Sequence, residues 1–150
     1  MSFTLSNKSI SRLNGVDPRL SLIIRDAINY TSVDFGISEG IRTFERQKQL
    51  FEENKTKTLN SKHLIGKAVD VFAWVDSNVS WNAEHYDMIA EAVRKSAKLH
   101  GGQIRWGAAW NSDDIRSWNG SMKALRLHYI NERKLQGRSA FIDCPHFEIK

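Results

Sequence analysis

Residues 15–30 read GVDPRLSLIIRDAINY, and Leu20, Ile23, Ile24, Ala27 and Ile28 recur there at helical spacing on one face. Asp17 suits the cap of this helix and Pro18 its first turn. The apolar pattern then shortens to VDFGIS at 33–38, which predicts an extended segment. Thr43 is placed to cap a second helix over FERQKQLFEEN, and the polar run NKTKTLNSK predicts a loop after it. Residues 68–75, AVDVFAWV, are β-rich and predict a strand ended by the turn VDSNVS. The clearest helix starts at Asn82, carries Tyr86, Ile89, Ala90, Val93 and Ala97 on one side, and stops at the glycine pair 101–102. QIRWGAAW returns as an extended segment, residues 121–135 read as helical, and AFIDCPHFEIK closes the sequence as a strand interrupted by Pro145. Helices and strands mix without regular βαβ alternation. The fold class this predicts is α+β, with a small, mainly antiparallel sheet and flanking helices.

Composition adds bounds. At 150 residues the sequence is expected to form one domain, 1–150, without a linker or a separate wall-binding module. Its 41% hydrophobic and 26% charged content is that of a globular chain. A net charge of +5 suits anionic surroundings, but it is spread along the sequence with no basic arm, so nucleic acid is not expected as a partner. One cysteine, Cys144, rules out an intrachain disulfide and a cysteine-rich zinc finger. No secretory signal and no long apolar run is visible, so a cytosolic start without membrane insertion is expected.

Candidate chemistry centres on SKHLIGKAVDV at 61–71, where His63 and Asp70 stand in a mostly apolar run. Their odd separation would put them on opposite faces of one straight strand. A turn at Gly66 would instead fold His63 back over the strand, with Ala68, Asp70 and Phe72 sharing a face. The bland alternative is His63 hydrogen-bonded to Asp70 at a strand end. A catalytic zinc commonly takes three protein ligands, and DCPHFE at 143–148 is the best source of a third. On a regular strand Cys144, His146 and Glu148 would share a face while Asp143 points away, although Pro145 weakens that regularity. Spacing therefore leaves both a carboxylate and a cysteine open beside His146.

These residues resemble a known family. SKHLIGKAVDV fits the S-x-H-x-x-G-x-A-x-D pattern of the VanY-like zinc peptidases, and DCPHFE resembles their closing acid-x-x-H element. SNKSISRLNGVDPRL, VDFGISEGIRTFERQ, KTLNSKHLIGKAVDV and RWGAAW follow in the order found in phage endolysins that are L-alanyl-D-glutamate peptidases. The resemblance implies a hedgehog/D-Ala-D-Ala peptidase-like zinc fold, with His63, Asp70 and His146 binding Zn²⁺. It makes Asp143 the general base and acid, and Arg42 the group that steadies the oxyanion. Ser61 and Gln47 are the substrate-binding candidates. The expected substrate is bacterial peptidoglycan, cut at the L-Ala–D-Glu bond by a monomer. Access to the wall would need a separate holin-type pore-former, taking the enzyme from host cytoplasm to periplasm and wall.

Two departures stand out. The family often reads W-G-G-D-W where this sequence has Trp106-Gly107-Ala108-Ala109-Trp110, and the stretch 112–138 is long, either an excursion over the cleft or extra surface. His85, His100 and His128 are expected at the surface or core edge, and Glu148 behind the ligands. The rival functions are a D-Ala-D-Ala carboxypeptidase or dipeptidase using the same zinc site, and a non-catalytic wall-binding or nucleic-acid-binding domain.

Overall fold

A computed structural model describes residues 2–150. Its helices are α1 (Asn7–Ser11), α2 (Pro18–Ala27), α3 (Phe44–Glu52), α4 (Ala83–His100) and α5 (Met122–Leu135). Five strands, β1 (Asp34–Glu39), β2 (Ala68–Val75), β3 (Asn78–Ser80), β4 (Ile104–Trp106) and β5 (His146–Ile149), form one sheet. The order is β1-β2-β5-β4, every pairing is antiparallel, and β3 extends the β2 edge beyond the end of β5. The α+β class read from the sequence is therefore the class observed.

Local chemistry sets the helix ends. Asp17 accepts from Arg19 N at the start of α2, Thr43 from Arg46 N at α3, Asn82 from Glu84 N at α4 and Ser121 from Ala124 N at α5. α4 ends where Gly101 takes a left-handed conformation, φ 76°. The turn after β2 is tighter than a loop, because Asp76 and Ser77 both have positive φ and return the chain as β3. The closing strand is shorter than the apolar pattern suggests. It begins only at His146, and residues 140–145 are irregular.

Alternation along the strands separates two faces. Phe35, Ile37, Val69, Val71, Ala73, Ile104, Trp106, Phe147 and Ile149 are buried in the core with Leu20, Ile23 and Ile24 of α2 and Ile89, Ala90 and Val93 of α4. Ser96 Oγ donates to Ile23 O at 2.7 Å and locks the two helices together. The other face of β2 and β5 carries Asp70, His146 and Glu148. α5 packs on α4 through Met122, Leu125 and Tyr129, and a buried two-point ion pair joins Arg126 to Asp87 at 2.7 and 2.8 Å. Nothing from 112–138 lines the main cleft.

Candidate metal centre

His63 lies on a single 3-10 turn, Lys62–Ile65, capped by Ser61, whose hydroxyl accepts from His63 N at 3.2 Å. Gly66 ends the turn at φ 71°, and a Cβ there would stand 2.5 Å from Gly15 O. Only glycine fits both constraints. The chain then enters β2, so the odd spacing of His63 and Asp70 is no obstacle: one residue lies on a turn and the other on a strand. Asp70 is the direct cross-strand partner of His146, although 76 positions separate them.

The three side chains converge. One ligand atom from each of His63, Asp70 and His146 lies within 4.8 Å of the others. Asp70 Oδ1 is 3.3 Å from His63 Nε2 and 3.2 Å from His146 Nδ1. The opposite ring nitrogens are held from behind. His63 Nδ1 donates to Gly40 O at 2.8 Å, and His146 Nε2 donates to Glu148 Oε1 at 2.9 Å. Outer partners of this kind fix the tautomer and ring orientation of metal-binding histidines. With Nδ1 protonated, His63 Nε2 carries a lone pair, yet it is buried without a hydrogen-bond partner. A buried acceptor left this way is expensive, and a cation would satisfy it. These donors fit a divalent metal of the zinc class.

Electrostatics agree with the geometry. Burial alone would raise the Asp70 carboxyl, but His146 and His63 beside it hold it well below the usual range. Burial would likewise lower His146, yet its bonds to Asp70 and Glu148 push it up to about 9. Such a proton is one that a bound cation displaces. The Asp143 carboxyl is raised, first by burial and then by the Asp70 charge.

A cleft of about 580 Å³ surrounds this cluster, and Arg42, Ser61 and Asp143 line it with the three ligand candidates. Because β5 starts only at His146, Asp143 is not bound to strand alternation and reaches the cleft. Cys144 instead packs against the core, where burial pushes its thiol up to about 11. Among the described residues it is not part of the cluster that could hold a metal ion. Arg42 Nε and Nη2 donate to Glu39 Oε1, the former at 2.8 Å, and Nη2 stands 3.7 Å from Asp70 Oδ2. Gln47 does not line the cleft. Fully buried, it accepts from Arg42 Nη1 at 2.6 Å and donates to Thr58 O at 2.5 Å, tying the arginine to the 54–60 loop.

Glu39 was not singled out from the sequence. A β-bulge between Ile37 and Glu39 sets Glu39 opposite Asp70, which turns its side chain to the site face instead of the core. Its sequence signal was an acid three positions before Arg42. Trp110 and Phe141 also line the cleft, whereas Trp106 is fully buried and Trp81 is 71% exposed. The altered tryptophan motif still serves the site. Trp106 Nε1 donates to Cys144 O at 2.8 Å, Gly107 N to His146 O at 2.8 Å, and Ala108 and Ala109 are completely buried. Elsewhere His85 pairs with Ser80 at 2.6 Å, His100 with Asp26 at 2.8 Å and His128 with Glu132 at 3.4 Å.

Comparison with known proteins agrees with this geometry. The family described as phage L-alanyl-D-glutamate peptidase matches residues 1–149. The L-alanyl-D-glutamate peptidase of Escherichia phage T5 is 32% identical over 117 residues, covering 75% of this chain and 85% of that protein. A protein of the same name from a Listeria phage is 25% identical over 108 residues, but only 37% of its length is covered. Among solved structures, the L-Ala D-Glu endopeptidase ChiX of Serratia marcescens superposes with a TM-score of 0.74 at 33% identity, over 100% of this chain and 90% of that one.

Proposed function

The chain belongs to the phage L-alanyl-D-glutamate peptidase family, and from that premise we propose that it is a zinc-dependent endolysin cutting the L-Ala–D-Glu bond of peptidoglycan stem peptides. One observation carries the metal-dependent part of this reading. His63 and His146 aim nitrogens at a shared Asp70 oxygen, and the His63 nitrogen is buried with no other partner. His63, Asp70 and His146 would hold the ion. When bound, zinc supplies Lewis acidity and a hydroxide nucleophile at neutral pH.

The remaining work falls to the chain's own groups. Asp143 takes a proton from the attacking water and passes it to the leaving D-Glu nitrogen. A carboxyl raised by burial and by Asp70 is a better proton carrier near neutrality than an ordinary one. Arg42, braced by Glu39 and Gln47, faces the charge that develops on the carbonyl oxygen. Ser61 holds the turn that presents His63 and borders the cleft. Residues 1–150 would act as one catalytic unit and as a monomer. No helix among the described residues is long and apolar enough to cross a membrane. In this proposal a separate pore-former would give access from the host cytoplasm to the wall.

The test is mass spectrometry of purified peptidoglycan digested by the zinc-loaded protein. Fragments with a new D-Glu amino terminus are expected, and His63→Ala should produce none. Release of free D-Ala with the L-Ala–D-Glu bond intact would replace this reading with a carboxypeptidase.

A further inference from the structure

The cleft carries charge of both signs at different exposure. Glu39, Asp70, Asp143 and Glu148 line it as buried or half-buried residues, while Arg46, Lys55 and Lys57 line it as exposed ones and Lys62 as a half-buried one. Two of these cations already have local company. Lys55 pairs with Glu53 at 3.2 Å, and Lys62 Nζ approaches Ile149 O at 3.4 Å beside Glu148. Arg46 bonds only the neutral Gln49 side chain through its guanidinium, at 3.0 Å. Lys57 differs again. Its ammonium stands 5.1 Å from the centroid of the Phe141 ring and has no carboxylate within 4.0 Å among the described residues. Contact with the ring face steadies the side chain without using up its three N–H donors.

Phe141 links that cation to the reaction centre. Its ring stacks on Trp110 at 6.4 Å, and Trp110 leans on His146 at 5.3 Å. A continuous aromatic wall therefore runs from a metal-ligand candidate, across two rings, to an ammonium whose donors are free. In a stem peptide every free carboxylate lies beyond the L-Ala–D-Glu bond, on the leaving side. The D-Glu α-carboxylate adjoins the scissile nitrogen, whereas Lys57 is set off from His146 by two aromatic rings. The next residue is a diamino acid, which carries a side-chain carboxylate in the meso-diaminopimelate type and an ammonium alone in the lysine type.

We infer that Lys57, with Arg46 beside the same cleft, is an anion subsite that selects stem peptides whose third residue bears a side-chain carboxylate. The inference rests on the reaction proposed above. Selection works in both directions, since a lysine-type peptide would bring its own ammonium against Lys57.

The experiment compares kcat and KM of the zinc-loaded protein on two N-acetylated tripeptides whose C-terminal α-carboxyl is amidated, L-Ala-γ-D-Glu-meso-diaminopimelate and L-Ala-γ-D-Glu-L-Lys. The wild type should favour the first by about tenfold in KM, the scale of one charge-assisted hydrogen bond. Lys57→Met keeps an apolar chain against Phe141 and should erase the preference through KM, with kcat unchanged. Lys57→Arg should restore it. Equal KM values in the wild type, or equal losses on both peptides in Lys57→Met, would overturn the subsite while leaving the reaction intact. Failure of the wild type to cut either peptide at L-Ala–D-Glu would overturn the reaction, and the subsite with it.

Discussion

Gly107 and Asp143 meet backbone to backbone: Asp143 N donates to Gly107 O at 2.8 Å, and a Cβ on Gly107 would lie 2.2 Å from Asp143 O. The obstructing atom is main chain, so it cannot swing aside as a side-chain tip would. Gly107→Ala should push the Asp143 segment outward and lower kcat by about a hundredfold, the effect of misplacing a reacting group by about 1 Å. Far-UV circular dichroism should not change. A wild-type rate in this variant would show that the contact does not position the carboxylate.

Glu148 is assigned no contact with substrate, yet its Oε1 accepts the hydrogen bond from His146 Nε2 at 2.9 Å. Glu148→Ala should weaken metal binding by about 10–100-fold. Competition with a chromophoric chelator measures this directly, and unchanged affinity would reduce Glu148 to a packing residue.

Removing the metal should cost stability as well as activity. Restoring zinc at about a thousand times its Kd adds about 4 kcal/mol. For a domain of this size that corresponds to a rise in Tm of about 8–16 °C. Thermal scans with and without a chelator test it, and superimposable curves would contradict a resident ion.

Gln47 separates two roles cleanly, because it is fully buried between Arg42 and Thr58. Gln47→Ala should destabilise the fold by about 1–3 kcal/mol, leaving a carbonyl and a guanidinium nitrogen without partners. It should lower kcat more than it raises KM. A raised KM at unchanged stability would instead restore the substrate-binding role expected from the sequence.

Asp17 predicts a pH effect away from the cleft. Its carboxyl is lowered first by the hydrogen bond from Arg19, against a smaller opposing effect of burial. Because the folded value lies below the unfolded one, about 3.9, the stabilisation is complete above that pH and is lost as pH falls through the folded value. Asp17→Asn keeps the helix cap and removes the charge. Its Tm should fall slightly below wild type at pH 7 and converge with it toward pH 2. A gap that widens in acid would reverse the assignment.

The sequence displayed its local features clearly and its long-range ones only through the motif resemblance. Asp17, Thr43 and Asn82 cap helices where the sequence places them, the helix read over 121–135 begins at Met122 with Ser121 as its cap, and β2 spans residues 68–75 as its β-rich composition indicates. Gly66 makes the turn expected of it. Periodicity misled at residues 140–145, where an apolar pattern suggested strand but the chain stays irregular before His146. That irregularity frees Asp143 from alternation, which local spacing could not foretell. Glu39 and Gln47 were obscured for a related reason. A bulge reverses the face of the first, and the second is buried by a loop that folds back from eleven positions away.

β5 supplies an inner strand of the sheet, although it follows the other four strands in sequence. Its register with β2 brings His146 to Asp70, and its register with β4 brings Glu148 to Arg105. Until β5 pairs, β2 and β4 have no strand between them and His146 does not stand beside Asp70. The cluster of His63, Asp70 and His146 therefore comes together only as fast as this most sequence-distant strand pairing can close.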